Sequence, residues 1–132
     1  MSRYENTVAL ITGAGQGIGR AIAQKLAKDG ALVTVLDIDE GNGRKTVEML
    51  KQDGHQSHFV RADITNFSEV EEAFFRTAEK LGPIELLINN AALSIAGNLE
   101  SISLDAWHRE IDVNLNGTYH CIRAIVPAMT EA

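Results

Sequence analysis

The stretch that decides the fold is residues 12–20, which spell TGAGQGIGR. It follows an apolar, β-branched run at residues 7–11 and opens a segment with helical spacing, so it joins a buried strand to a helix. Gly13 would permit the tight turn, Gly17 would let a ligand approach the backbone, and Gly19 would let helix and strand pack closely. The free N–H groups of the first helical turn would then hold an anion such as a pyrophosphate. The alternative is a glycine-rich turn without a ligand.

Strands and helices alternate along the rest of the chain. The strands are predicted at residues 7–11, 32–36, 57–62 and 85–89. The predicted helices are residues 18–29, a helix through Val47 and Leu50, a helix capped by Ser68 and ended by Gly82 and Pro83, and a last helix from near Ser103 to about Pro127. This alternation is typical of an α/β fold with a parallel sheet covered on both faces by helices. Ligands of such sheets bind beyond the carboxyl ends of the strands.

Polar residues stand at the tips of the other three strands. Asp37 follows the second strand, and its carboxylate could accept both hydroxyl hydrogens of an adenosine ribose. Asp63 follows the third strand and could accept a bond from an adenine amino group, although a capping or turn role would fit equally. The fourth strand ends at Asn89 and Asn90, which could bridge neighbouring strand ends, and two alanines follow, which would keep the floor of a site low. A solvated aspartate and a simple turn are the competing interpretations.

Asn114 is the unusual residue of the last predicted helix. Helical spacing puts it on one face with Trp107, Ile111, Thr118 and Ile125, and we expect that face to be buried. A buried amide needs hydrogen-bond partners, so Asn114 has either a structural or a functional role. The residues alone favour structure.

Composition excludes several classes of function. The formal net charge of −6 and the lack of a basic run argue against a nucleic-acid partner. Apolar runs are too short for a membrane span, and no secretory segment opens the sequence. The single cysteine, Cys121, cannot form an internal disulfide, which suits a cytoplasmic protein. The four histidines show no metal-ligand spacing, so we expect no metal site.

Taken together, these motifs resemble the short-chain dehydrogenases/reductases in their one-domain form. The matching stretches occur in family order and cover almost the whole chain: residues 12–19, Asp37, residues 63–64, residues 89–92 and residues 112–117. Ala92 departs mildly, since many members have glycine there. The resemblance implies a Rossmann-like, three-layer α/β/α fold, with residues 1–132 as one dinucleotide-binding domain. It also implies oxidoreduction of alcohol and ketone groups by hydride transfer.

The resemblance also assigns the site residues. It places Gly13, Gln16, Gly17, Ile18 and Gly19 at the pyrophosphate and Asp37 and Ile38 at the adenosine ribose. It places Asp63 and Ile64 at adenine, and Asn90, Ala91 and Ala92 along the adenosine. Asn114 corresponds to the family's active-site asparagine, which positions a water in a proton relay. Asp37 favours NAD over NADP, because it would repel a 2′-phosphate and neither Ala14 nor Ile38 offers a cation. Arg20 is the one nearby cation that could turn towards a phosphate.

The sequence lacks the family's serine and its Tyr-x-x-x-Lys pair. Tyr4 and Tyr119 lie in the wrong segments, and we expect Tyr119 to pack on its helix. We therefore expect a fold truncated after the fifth helix, incomplete relative to the family and inactive alone, with its exposed side covered in a homo-oligomer. One alternative is a non-catalytic NAD-binding sensor or scaffold. Another is an S-adenosylmethionine methyltransferase, against which residues 89–92 and Asn114 argue. A longer gene product with a downstream Tyr-x-x-x-Lys would favour the enzyme.

Overall fold

The fold is a four-stranded parallel sheet between two layers of helices. A computed structural model describes residues 2–132. The strands are β1 (Val8–Thr12), β2 (Leu32–Asp37), β3 (Ser57–Arg61) and β4 (Leu86–Ile88). The helices are α1 (Gly17–Lys28), α2 (Glu40–Gln52), α3 (Phe67–Leu81), α4 (Leu104–Ile111) and α5 (Thr118–Glu131), with a π-helical segment at Asp112–Gly117 between the last two.

The strand order in the sheet is β3-β2-β1-β4, so β1 is central and β4 lies at an edge. Ala9 pairs with Val33 on one side and with Leu86 on the other, and Val33 pairs in turn with Ser57. Because every strand is parallel to its neighbour, all four carboxyl ends meet at one edge of the sheet. The predicted strands are confirmed to within two residues at each end.

Side chains that alternate along the strands build two separate cores, one on each face of the sheet. On one face, Ala9, Ile11, Val33 and Val35 pack against α1 and α2 through residues such as Leu26 and Leu50. On the other face, Val8, Leu10 and Leu36 pack against α3 and α5, whose contacts include Val70, Phe74, Cys121 and Ile125. The three-layer α/β/α architecture predicted from the sequence is therefore confirmed.

The start of α3 differs from the prediction. Asn66, not Ser68, caps this helix, and its side-chain oxygen accepts the N–H of Glu69 at 3.2 Å. Both residue types favour the cap position, so composition alone could not choose between them. Ser103 does cap α4, where its hydroxyl accepts the N–H of Ala106 at 3.1 Å.

The last helical region differs from the prediction in its backbone, in where it ends and in the exposure of one face. It contains the π-helical segment, and it continues past Pro127 to Glu131. The face expected to be buried is largely open, since Trp107 is 49% exposed, Ile111 is 38% exposed and Asn114 is also exposed. Only Ile125 of that face is fully packed, because it alone reaches the core beneath α5.

Among residues 2–132, no helix is both long and apolar enough to cross a bilayer.

Candidate functional site

A cleft of about 530 Å³ lies at the carboxyl ends of the strands. This volume is in the range of pockets that hold cofactors and other small molecules. Of the residues predicted to bind a cofactor, the cleft brings together Gly13, Gln16, Gly17, Ile18, Asp37, Ile38, Asp63, Ile64, Asn90, Ala91 and Ala92. Gly19 lies beneath the cleft and is buried, and Asn114 lies outside the lining.

Each glycine of the loop is required, or leaves space for a ligand, for a different geometric reason. Gly13 and Gly17 adopt positive φ angles of 66° and 57°, which side chains rarely tolerate. A Cβ on Gly19 would lie 2.2 Å from the carbonyl oxygen of Gly13, so only glycine lets α1 approach the end of β1 this closely. A Cβ on Gly17 would meet nothing within 4 Å, which leaves the backbone there open to a ligand.

The N-terminus of α1 faces the cleft without a cap. Gln16 stands at the cap position in an extended conformation, but no side-chain oxygen accepts a first-turn N–H, and that turn has no acidic residue. By contrast, α2, α3 and α4 are each capped by a side chain. Free N–H groups at the positive end of a helix dipole form a site for an anion, and phosphate groups commonly occupy such sites.

Asp37 joins the loop to the second strand. One of its carboxylate oxygens accepts the N–H of Gly15 at 2.8 Å, and the other accepts the N–H of Asp39 at 2.9 Å. Each oxygen retains a lone pair, so the carboxylate can still accept hydroxyl hydrogens from a ligand in the cleft.

Asp63 closes a tight turn after β3. One carboxylate oxygen accepts both the N–H and the hydroxyl of Thr65, at 3.0 and 2.8 Å. The turn role that the sequence left open is therefore present, and the side chain also borders the cleft. The next residue, Ile64, is buried, and its carbonyl oxygen lies 2.7 Å from Nδ1 of His120 on α5. This contact joins the loop after β3 to α5.

The opposite wall of the cleft is linked to β1 through Thr12. Its hydroxyl accepts the N–H groups of Asn90 and Ala91 at 3.0 and 2.9 Å. The side-chain amide of Asn90 donates to the carbonyl oxygens of Thr12 and Gly13, at 3.1 and 3.2 Å. Asn90 therefore bridges the ends of β1 and β4, as the sequence suggested for this pair of asparagines.

Asn114 holds the segment that follows this wall. Its side-chain oxygen accepts the N–H of Leu93 at 2.7 Å, and its side-chain nitrogen donates to the carbonyl of the same residue at 2.8 Å. Its own carbonyl accepts the hydroxyl of Thr118 at 3.1 Å. The residue lies in the π-helical segment, a type of irregularity that is frequent at functional sites. Asn114 thus has the structural partners that its amide requires.

Sequence reasoning missed several residues that line the cleft. They are Leu36, Asp39, Asn42, Ala62, Leu93, Arg109 and Val113. Arg109 is the one cationic side chain among the described lining residues, alongside Asp37, Asp39 and Asp63. Val113 lies in the matched stretch of residues 112–117, which was the available signal for it, whereas no motif in the sequence marked Arg109.

Arg20 does not line the cleft. Its guanidinium donates to Thr46 and to the carbonyl of Gly15 on the inner side of the loop. Tyr119 is 52% exposed, and its hydroxyl accepts a bond from Arg123, one turn later on the same helix. No cluster of three or more metal-ligating side chains occurs within residues 2–132.

Comparison with known proteins identifies the family. Residues 7–132 match the family model described as short chain dehydrogenase. The chain belongs to the short-chain dehydrogenase/reductase family. Among curated members, it is 40% identical to an uncharacterized oxidoreductase of Thermotoga maritima over 96% of this chain and 50% of that protein. It is 35% identical to a 3beta-hydroxysteroid dehydrogenase of Mediterraneibacter gnavus, over 98% of this chain and 47% of that protein.

Solved structures of family members share the fold. The crystal structure of gox2181 superposes with a TM-score of 0.94 at 35% identity, covering 98% of this chain and 51% of that one. A short-chain dehydrogenase/reductase of Burkholderia phymatum in complex with NAD gives a TM-score of 0.92 at 36% identity, covering 98% and 46%. This chain spans about half the length of the family members that it matches.

Proposed function

We propose that this chain is the NAD(H)-binding portion of an oxidoreductase that transfers hydride to or from alcohol and ketone groups. The observation that carries the proposal is the cleft in which the uncapped N-terminus of α1 and the carboxylate of Asp37 lie together. The cleft therefore holds N–H donors that suit a pyrophosphate and a carboxylate acceptor that suits a ribose diol, so that a single ligand could contact both. The NAD complex of the Burkholderia phymatum protein supports the choice of ligand class.

The proposal gives each wall of the cleft its own part of the dinucleotide. The loop residues Gly13, Gln16, Gly17 and Ile18 border the pyrophosphate, and Gly19 allows the close packing that holds the loop. Asp37 and Ile38 border the adenosine ribose, while Asp63 and Ile64 border adenine. Asn90, Ala91 and Ala92 form the wall on the β4 side. Residues 1–132 thereby act as a dinucleotide-binding domain, incomplete relative to the family.

NAD is the preferred cofactor in this proposal. A 2′-phosphate would face the carboxylate of Asp37, and juxtaposed like charges cost several kcal/mol. Arg20 is engaged by Thr46 and Gly15, so its guanidinium offers no cation to the ribose. Arg109 is the remaining cation of the cleft, and it belongs to α4 rather than to the β2 end where Asp37 stands.

Calorimetric titration of NAD and NADP tests this preference. Wild type should bind NAD at least about tenfold more tightly than NADP, a difference of about 1.4 kcal/mol. Asp37→Ser should reduce this difference in affinity between NAD and NADP, since it removes the repelling charge. Asp53→Ser is the matched control, because Asp53 is exposed at the end of α2, away from the cleft, and should leave the gap unchanged. Equal binding of NADP and NAD by wild type would refute the preference.

We further propose that the 132-residue chain alone does not catalyse hydride transfer. Its two tyrosines are Tyr4 and Tyr119, and neither is followed four positions later by lysine. The hydroxyl of Tyr119 bonds to Arg123, a side chain that cannot readily exchange protons. Oxidation of NADH in the presence of a panel of ketones is the measurement. Turnover above a protein-free blank that Asn114→Ala abolishes would contradict the proposal.

The exposed apolar face of α4 and the π-helical segment supports a proposal of self-association. Leu104, Trp107, Ile111 and Leu115 are exposed along one side of this region, and β4 is an edge strand. Contiguous apolar surface of this kind marks protein–protein contacts, and an open strand edge promotes pairing. We propose that a second copy of the protein covers this face.

A further inference from the structure

Two side chains hold the glycine loop from the side opposite the cleft. Thr46 of α2 is fully buried, and its hydroxyl donates to the carbonyl oxygen of Ala14 at 2.9 Å, across 32 positions of sequence. Nε of Arg20, on α1, donates to the same hydroxyl at 2.9 Å, and Nη2 donates to the carbonyl oxygen of Gly15. A hydroxyl can donate one bond while accepting another, so the three contacts are compatible.

These contacts fix the carbonyls of two successive peptide units in the loop. The N–H groups of the loop are also engaged, since those of Gly13 and Ala14 donate to the carbonyl of Leu36 and that of Gly15 donates to Asp37. A trans peptide directs its C=O and N–H in opposite directions. Fixing the carbonyl of Gly15 against Arg20 therefore directs the N–H of Gln16 away from Arg20. Gln16 is one of the loop residues that line the cleft.

We propose that Arg20 and Thr46 form a positioning pair that sets the phosphate-binding geometry of the loop. Neither side chain lines the cleft, so the pair acts through the carbonyls of Ala14 and Gly15 and not by contact with the ligand. This inference rests on the proposed function, because it concerns the pyrophosphate part of a bound dinucleotide. The pair also occupies the guanidinium of Arg20, which strengthens the discrimination against a 2′-phosphate.

The test compares a ligand that contains the pyrophosphate with one that lacks it. NAD and adenosine are titrated into wild type, Thr46→Val, Thr46→Ser and Arg20→Met, with binding followed by protein NMR. Valine keeps the shape of threonine but removes the hydroxyl, serine restores the hydroxyl, and methionine keeps much of the arginine stem without its donors. We expect Thr46→Val and Arg20→Met to weaken NAD binding about tenfold while adenosine binding changes less than threefold. Thr46→Ser should bind NAD within about threefold of wild type.

A second readout needs no ligand. Amide hydrogen exchange at Ala14 and Gly15 should accelerate about tenfold in Thr46→Val and Arg20→Met relative to amides in the middle of β2. If Thr46→Val does not fold, Arg20→Met decides the question, because Arg20 is only partly buried.

The outcomes separate this inference from the proposed function. If wild type fails to bind NAD, the proposed function fails. If wild type binds NAD but the variants bind it equally well, or lose NAD and adenosine in parallel, the positioning role is refuted. Parallel loss would mean that the two residues only stabilise the fold.

Discussion

The two walls of the cleft are held in place by different forces. On the β2 side, four of the six strand residues are buried, and the strand contributes side chains to the apolar cores on both faces of the sheet. On the β4 side, all three strand residues are only half-buried, and α4 buries none of its residues. That wall has hydrogen bonds in which the side chains of Thr12 and Asn114 accept backbone N–H groups and the side chain of Asn90 donates to a backbone carbonyl. One site can therefore combine a wall whose strand is buried between two cores with a wall that depends more on individual polar contacts.

The largest expected effect concerns the inner face of α5. This face is the part of the β4 side that packs into a core. Burial raises the pKa of the Cys121 thiol to about 12, against an ordinary value of 9.0. At pH 8 the folded protein should carry roughly a thousandfold less thiolate than the unfolded chain, and only the thiolate reacts. Alkylation by iodoacetamide should slow by at least that factor relative to the denatured chain. Labelling is unambiguous because the sequence has one cysteine.

The same thiol gives a pH dependence with a definite sign. Its pKa is higher in the folded state, so its contribution to stability is complete below pH 9 and is lost as the pH rises towards 12. The free energy of unfolding, measured by urea titration, should therefore fall less between pH 9 and pH 12 for Cys121→Ala than for wild type. Labelling of the native protein within tenfold of the denatured rate would show instead that α5 is loosely attached to the sheet and exposes the thiol.

The stability of the wall that is held by packing should be very sensitive to an added methyl group. Gly19→Ala would place a methyl group against the carbonyl of Gly13, so we expect the free energy of unfolding to fall by about 3 kcal/mol. Gly41→Ala is the matched control, because Gly41 lies in α2 and its nearest obstacle is 3.5 Å away. That change should stabilise the protein by about 0.5–1 kcal/mol. Urea unfolding measures both, and equal effects of the two substitutions would contradict the close packing of α1 on β1.

The polar wall should respond to the loss of single hydrogen bonds. Asn114→Ala removes two bonds to the backbone of Leu93, so we expect a loss of about 2 kcal/mol and faster amide exchange at Leu93. Asn116→Ala is the control, since its amide bonds only to Asp112 one turn earlier. Unchanged exchange at Leu93 in Asn114→Ala would mean that packing, not Asn114, holds this wall.

The smallest effect is expected on the outer surface of the β4 side. Trp107→Ser should weaken self-association about tenfold, equivalent to about 1.4 kcal/mol, while the stability of each copy changes by less than about 0.5 kcal/mol. His108→Ser, at the next position of the same helix, should change neither quantity. Sedimentation equilibrium is the measurement, and a wild-type protein that stays monomeric at high concentration would refute the proposed contact.

The sequence predicted best what depends on local patterns. Apolar runs located every strand, and the glycine loop located the start of α1 to within one residue. The strand tips also led to the cleft, because in a parallel sheet the residues after each strand must meet at one edge. Asp37, Asp63 and Asn90 are brought together there although they are far apart in the chain.

Contacts between distant residues could not be predicted in the same way. The bonds of Asn114 to Leu93 and of Thr46 to Ala14 join elements whose relative position depends on the whole fold. The exposure of Trp107 had a similar cause, because helical spacing defines a face but does not say what covers it. Asn66 and Ser68 could both cap α3, and only the path of the chain after β3 decided between them.

The position of β4 in the sheet has a consequence for the order of folding. Ala9 pairs with Val33, 24 positions later, and also with Leu86, 77 positions later. Closing the longer loop costs more chain entropy, and pairings between distant segments form slowly. The unit from β1 to β3 can therefore assemble before β4 docks. Since Asn90 and Ala91 reach Thr12 only after that docking, the cleft is among the last parts of the molecule to be completed.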